Sequence, residues 1–213
     1  AGGDGGDVTF LVNAIIGGST TVDLSGGTGT PNGTTGTLTF FSTIINGTST
    51  YLASVNLGNV TVIANSDVTV FGTLTLGTVT GGGFNLILSV EDLVLTGAVN
   101  NLANLTIQNR VSSGAINIAT STVGALNLSQ AEWSLINAAT VTNVFLGNTT
   151  SYTGTITNLA WVNNTNLTID FLSGGGGSWH VDGNLSGTGS ITLHGSGGTT
   201  FLNSAFMTQA GFN

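Results

Sequence analysis

Leu167-Thr168-Ile169, Trp179-His180-Val181 and Ile191-Thr192-Leu193 decide the fold. Each triplet sets one polar residue between two apolar ones. In an extended chain, alternate side chains point to opposite faces, so each triplet is a short strand with one apolar face. The centres at 144, 156, 168, 180 and 192 recur every twelve residues. Working toward the N-terminus, the same unit appears as Leu126-Asn127-Leu128, Ile116-Asn117-Ile118, Leu105-Thr106-Ile107 and Leu93-Val94-Leu95. It continues as Leu74-Thr75-Leu76, Val68-Thr69-Val70 and Val60-Thr61-Val62, with Gly, Asn, Ser and Thr turns between the units. Strands this short and this evenly spaced predict an all-β chain wound as a parallel β-helix, a β-solenoid. Two or three strands would make a coil of roughly 20 to 30 residues, and coils would stack ~4.8 Å apart. A β-sandwich, which also uses short strands at similar spacing, is the alternative. The regular region spans 51–203. Residues 1–50, rich in Gly and holding the single Pro31, read as an irregular N-terminal cap or first coil, and 204–213 as a C-terminal cap or extension. One short helix is expected within Ser129–Asn137, although Trp133-Ser134-Leu135 also fits a strand.

Composition narrows the function classes. Charged residues make up only 5% of the chain, and Lys plus Arg total 1, Arg110, against 9 acids, for a net charge of −8. A surface with one cation has no electrostatic grip on nucleic acid, which needs several phosphate contacts. The absence of cysteine excludes disulfide staples, thiolate zinc sites and thiol catalysis. Hydrophobic residues at 40% suffice for a continuous core, and no apolar run approaches a membrane-spanning helix. Polarity comes from Thr, Ser, Asn and Gly rather than from charge. That suits an exposed extracellular protein whose surface changes little with pH. The start at Ala1-Gly2-Gly3 suits a mature or trimmed product.

Asn184-Leu185-Ser186-Gly187-Thr188-Gly189-Ser190-Ile191-Thr192-Leu193, followed by Gly195-Ser196-Gly197-Gly198-Thr199-Thr200-Phe201-Leu202, resembles the strand repeat of autotransporter passenger domains. Gly147-Asn148-Thr149-Thr150-Ser151-Tyr152-Thr153-Gly154 resembles a turn of the same repeats, and the wider texture is similar to filamentous-haemagglutinin-like secreted adhesins. His194 stands where that repeat usually carries a Lys. The resemblance implies a right-handed parallel β-helix and a role in adhesion or surface assembly. It implies no catalytic residues.

Candidate chemistry is sparse, and no catalytic residue, cofactor or resident metal is expected. Asp4 and Asp7 lie in a Gly-Gly-Asp pattern similar to a calcium-binding nonapeptide, but that chemistry needs consecutive copies and only one is present. Asp170, Asp182 and His194 are spaced by twelve. With a coil of about 24 residues, Asp170 and His194 fall on adjacent rungs with side chains pointing the same way, while His180 and Asp182 share a strand face. This group is either a metal or proton site or an outward polar ladder. Glu91-Asp92, the one adjacent carboxylate pair, fits a turn between strands ending at Val90 and starting at Leu93. Asn-X-Ser/Thr glycosylation patterns occur at Asn32, Asn46, Asn59, Asn104, Asn127, Asn148, Asn163, Asn166 and Asn184, where polar ladders in turns are the plainer reading. Thr73-Leu74-Thr75, Thr155-Ile156-Thr157 and Thr48-Ser49-Thr50 are similar to ice-binding arrays but do not recur at one spacing. Trp133, Trp161, Trp179, Tyr51 and Tyr152 are expected to face the core rather than a sugar.

A coil of stacked strands exposes unpaired backbone and open core at both ends. Burying about 500 Å² of apolar end surface contributes on the order of 10 kcal/mol before association costs. No Lys guards these ends. The expected role is therefore a secreted, non-catalytic structural subunit or adhesin, joined head to tail with copies of itself in a filament or surface layer. A carbohydrate- or ice-binding module, with a cell-surface glycan as partner, is the alternative, and a polysaccharide lyase or hydrolase comes third. Strand donation by Val8-Thr9-Phe10-Leu11-Val12 is a further route to a fibre.

Overall fold

The structure is a computed structural model. It describes residues 3–17, 19–23, 35–120, 122, 125–148, 150–171 and 176–194, with backbone only at 12, 13, 199–202 and 211–212. The chain is nearly all β: strands from Val8–Gly17 to Gly211–Phe212 and, among the described residues, one helix, Gln130–Trp133. The strands form sheets of fifteen, five and two members. Every ladder among the described residues is parallel. A sandwich of antiparallel hairpins, the alternative expected above, does not describe these pairings. No helix among the described residues is long and apolar enough to cross a membrane.

Parallel pairing keeps each apolar column on one side. In the large sheet, Leu86, Leu105, Val144, Leu167 and Ile191 stand in successive register, and Val68, Leu88, Ile107, Leu146 and Ile169 do the same. In the five-stranded sheet, Ile116, Ile156 and Trp179 continue the core. These columns are buried in one contiguous cluster. Trp133 and Trp161 meet edge to face at 4.8 Å within it. As expected, the three tryptophans, Tyr51 and Tyr152 are all buried.

Several strands are longer than the alternating units that compose them. Ser66–Leu76 and Asn85–Leu95 have 11 residues each. Each joins two alternating runs across a corner. The register shifts between Val70 and Thr73, and Gly72 takes φ +140° with no room for a side chain beside Ser54. A bulge of this kind bends a strand without ending it. Glu91 and Asp92 sit on the matching corner inside Asn85–Leu95, not in a turn between two strands. Residues 1–50 contribute Val8–Gly17 and Leu38–Asn46 to the large sheet. At the other end, the backbone of Gly211–Phe212 pairs with Ser190 and Ile191.

The expected helix shrinks to Gln130–Trp133, and Trp133-Ser134-Leu135 is not a strand. Ser129 and Glu132 close a capping box around it. The helix belongs to a detour. Leu126–Leu128 pairs with Ile116–Ile118, and contacts one strand level apart jump from a separation of 19 residues to 39. No ladder joins Leu126–Leu128 to the edge at Leu93–Leu95. Instead Asp92 Oδ1 accepts from the Asn127 N–H at 3.3 Å, and Glu132 Oε1 accepts from the Leu95 N–H at 3.2 Å. Two carboxylates take the place of strand carbonyls across the break.

Candidate functional site

The most distinctive surface is the N-terminal edge of the large sheet. Val8–Gly17 runs for 10 residues and pairs in parallel with Leu38–Asn46. Its other edge meets no strand among the described residues. The strand forms because VTFLVNAIIG is β-branched, aromatic and aliphatic, with no Lys, no Pro and no charge to block a neighbour. Val8 and Phe10 stand in register with the buried Leu38 and Phe40, so they cover the open end of the core. The Phe10 ring stacks on Phe40 at 4.9 Å, nearly parallel. Leu11 is 81% exposed, Ile15 74% and Phe41 67%. The strand proposed as a donor is thus held in its own sheet, with one edge and several apolar side chains uncovered.

The acid and imidazole candidates separate. Asp170 and His194 pair in register, with His194 Nδ1 3.0 Å from Asp170 Oδ1, as the spacing predicted. Burial pushes the Asp170 carboxyl above its ordinary range, and the bond to His194 partly opposes that rise. Asp182 is exposed and follows Ser178–Val181 in the five-stranded sheet, where His180 also lies, so these two do not join the pair. Asp7 Oδ1 accepts from the Thr37 N–H at 2.8 Å, and Asp4 is exposed. Among the described residues, no three His, Asp or Glu side chains gather as metal ligands would. Glu91 pairs with Arg110, whose guanidinium lies 4.1 Å above the Phe71 ring.

Two adjoining clefts, about 580 and 620 Å³, open along the break in the sheet and share Asp92 and Asn127. Ala119, at φ +59°, lines the first. Their carboxylates already serve as backbone acceptors or, at Glu91, as the partner of Arg110.

The glycosylation candidates also divide. Asn163 is completely buried and donates to Thr165 and Ser190 carbonyls. Asn104, Asn127 and Asn148 are half-buried in side-chain networks, and Asn166 accepts from Ser190. Asn46, Asn59, Asn166 and Asn184 are exposed, while Asn32 lies outside the described residues. The Thr-X-Thr units share no common column: Thr50 stands in register between Thr21 and Thr69, but Thr73 stands beside Asp92, Thr155 beside Ser178 and Thr48 beside Asp67.

Sequence reasoning missed Asp67 and the amides around it. Asp67 Oδ1 is buried without a hydrogen-bond partner, and desolvation raises its carboxyl above the ordinary range. A lone acid in an alternating strand gives no signal of this until its strand neighbours are known. No family model matches the chain, and neither a curated protein nor a solved structure matches it.

Proposed function

We propose that the chain winds as a β-solenoid and serves as a secreted, non-catalytic structural subunit or adhesin, adding copy to copy, end to end, in an extracellular filament or surface layer. The observation that carries this reading is the open Val8–Gly17 edge, with Phe10, Leu11 and Ile15 uncovered beside Phe41. A parallel strand edge accepts another parallel strand, and the backbone of Gly211–Phe212 is the last parallel strand of the same sheet. Contacts between unlike ends do not close on themselves and so grow into open fibres. The acids support a non-catalytic role. Glu91, Asp92 and Glu132 line two adjoining clefts, but each is already engaged, in an ion pair, a helix cap or a backbone contact, and Asp170 lies apart with His194. The surface of hydroxyls and amides favours an exposed setting.

Electron microscopy and sedimentation of the full chain test the reading. Fibres or a concentration-dependent series of oligomers are expected. Monodisperse single particles at high concentration would overturn it.

A further inference from the structure

A second surface lies on the outer face of the large sheet, away from the open edge. Parallel register sets three columns side by side there. The first is a rail of asparagines: Asn104 Nδ2 donates to Asn85 Oδ1 at 2.8 Å, and Asn143 Nδ2 donates to Asn104 Oδ1 at 2.9 Å. Two residues along each strand runs the column Ile87, Thr106, Phe145. Two residues further is a second polar rail. There Gln108 Nε2 donates to Ser89 Oγ at 2.6 Å, and Asn148, just past the strand end at Gly147, donates from Nδ2 to Gln108 Oε1 at 2.6 Å. The rails flank a shallow cleft of about 370 Å³, with Asp67 and Asp170 at its two ends. It crosses five strands, a length of roughly 19 Å at ~4.8 Å per strand step.

The chemistry of this cleft is specific. A primary amide has two N–H donors and two carbonyl lone pairs. The rail bonds use one of each on Asn104, leaving a donor and an acceptor on the same flat group. Between the rails, Ile87 and the half-buried Phe145 offer apolar contact. No cation lines the cleft, and the chain carries a net charge of −8. A ligand that suits all of this has flat C–H faces, adjacent hydroxyls that donate and accept in pairs, and no negative charge. We infer that the face between the Asn85–Asn104–Asn143 and Ser89–Gln108–Asn148 rails binds a neutral oligosaccharide, stacked on Phe145 and hydrogen-bonded to the amides on either side.

This binding is independent of the end contacts, so its test stands apart from that of assembly. The full chain is titrated calorimetrically with neutral manno-, malto- and cello-oligosaccharides, and with oligogalacturonate as the acidic counter-probe. Binding of at least one neutral series is expected, with no binding of the acid. Phe145→Ala is expected to weaken it about tenfold, the loss of one stacking contact. Thr106→Arg fills the middle of the cleft from an outward position without opening a cavity, and is expected to abolish binding while the thermal transition stays in place. The inference is overturned if no neutral series binds, if the acidic probe binds as well, or if a folded Thr106→Arg chain binds like the parent.

Discussion

Single residues decide whether the corners and the outer face are tolerated. Gly58 takes φ +60°, and a Cβ there would press on the carbonyl oxygens of Phe40 and Phe41. Both problems act at once, the left-handed backbone and the collision. Gly58→Ala should therefore cost at least about 2 kcal/mol, read as a lower urea midpoint. Asp67 gives the opposite sign. Its carboxyl is raised by burial, so the folded chain holds a proton more readily than the unfolded one. Its contribution is fully present below the ordinary carboxylate pKa of about 3.9 and is lost as pH rises through the folded value. Asp67→Asn, which removes the charge and keeps the shape, should raise the urea midpoint at about pH 7, with the gain shrinking toward about pH 4. An unchanged midpoint at neutral pH would mean that the carboxylate is not desolvated in solution.

Among the elements, the terminal strand differs most from its neighbours. Inner strands such as Asn85–Leu95 have partners on both sides, whereas Val8–Gly17 has one among the described residues. Phe10→Lys puts a charge over the open core end, the device that guarded edge strands use. It should turn oligomers into monomers in sedimentation. The melting temperature should fall modestly, because Phe10 is 42% exposed yet its ring stacks on Phe40. Association that survives this substitution would place the contact elsewhere. The strands themselves were legible in the sequence, because period-two alternation marks one buried face whatever the partner. The Asp170–His194 pairing was legible only on the condition of a 24-residue separation, one value within the expected range; the contact spans 24, whereas the ladders nearer the N-terminus span 19. The amide rails were not. Asn85 meets Asn104 across 19 residues, but Asn104 meets Asn143 across 39, because the detour through Leu126–Leu128 and the helix intervenes. Such a change in separation is set by long-range packing, and local alternation does not record it. The corners were hidden for a related reason: Gly72 reads as a strand end, yet the bulge carries the strand through it.

The whole molecule sets the conditions under which copies meet. With a net charge of −8 and a single Arg already paired with Glu91, the chain has almost no cationic surface to offer a second copy. In the proposed assembly, attraction between copies would then come from apolar contact and strand pairing, against a background of mutual repulsion. Salt separates the two kinds of force. At about 0.01 M ionic strength the screening length is ~30 Å, comparable to a domain, and repulsion opposes docking; at about 0.15 M it falls to ~8 Å. Apolar burial is not weakened by that screening and is strengthened by sulfate. Assembly followed by light scattering should therefore speed up as sodium chloride rises from the lower to the higher of these strengths, and again when sulfate replaces chloride. An assembly held by ion pairs would show the reverse, dissolving as salt is added. That outcome would remove the apolar edge as the cause of association even if fibres form.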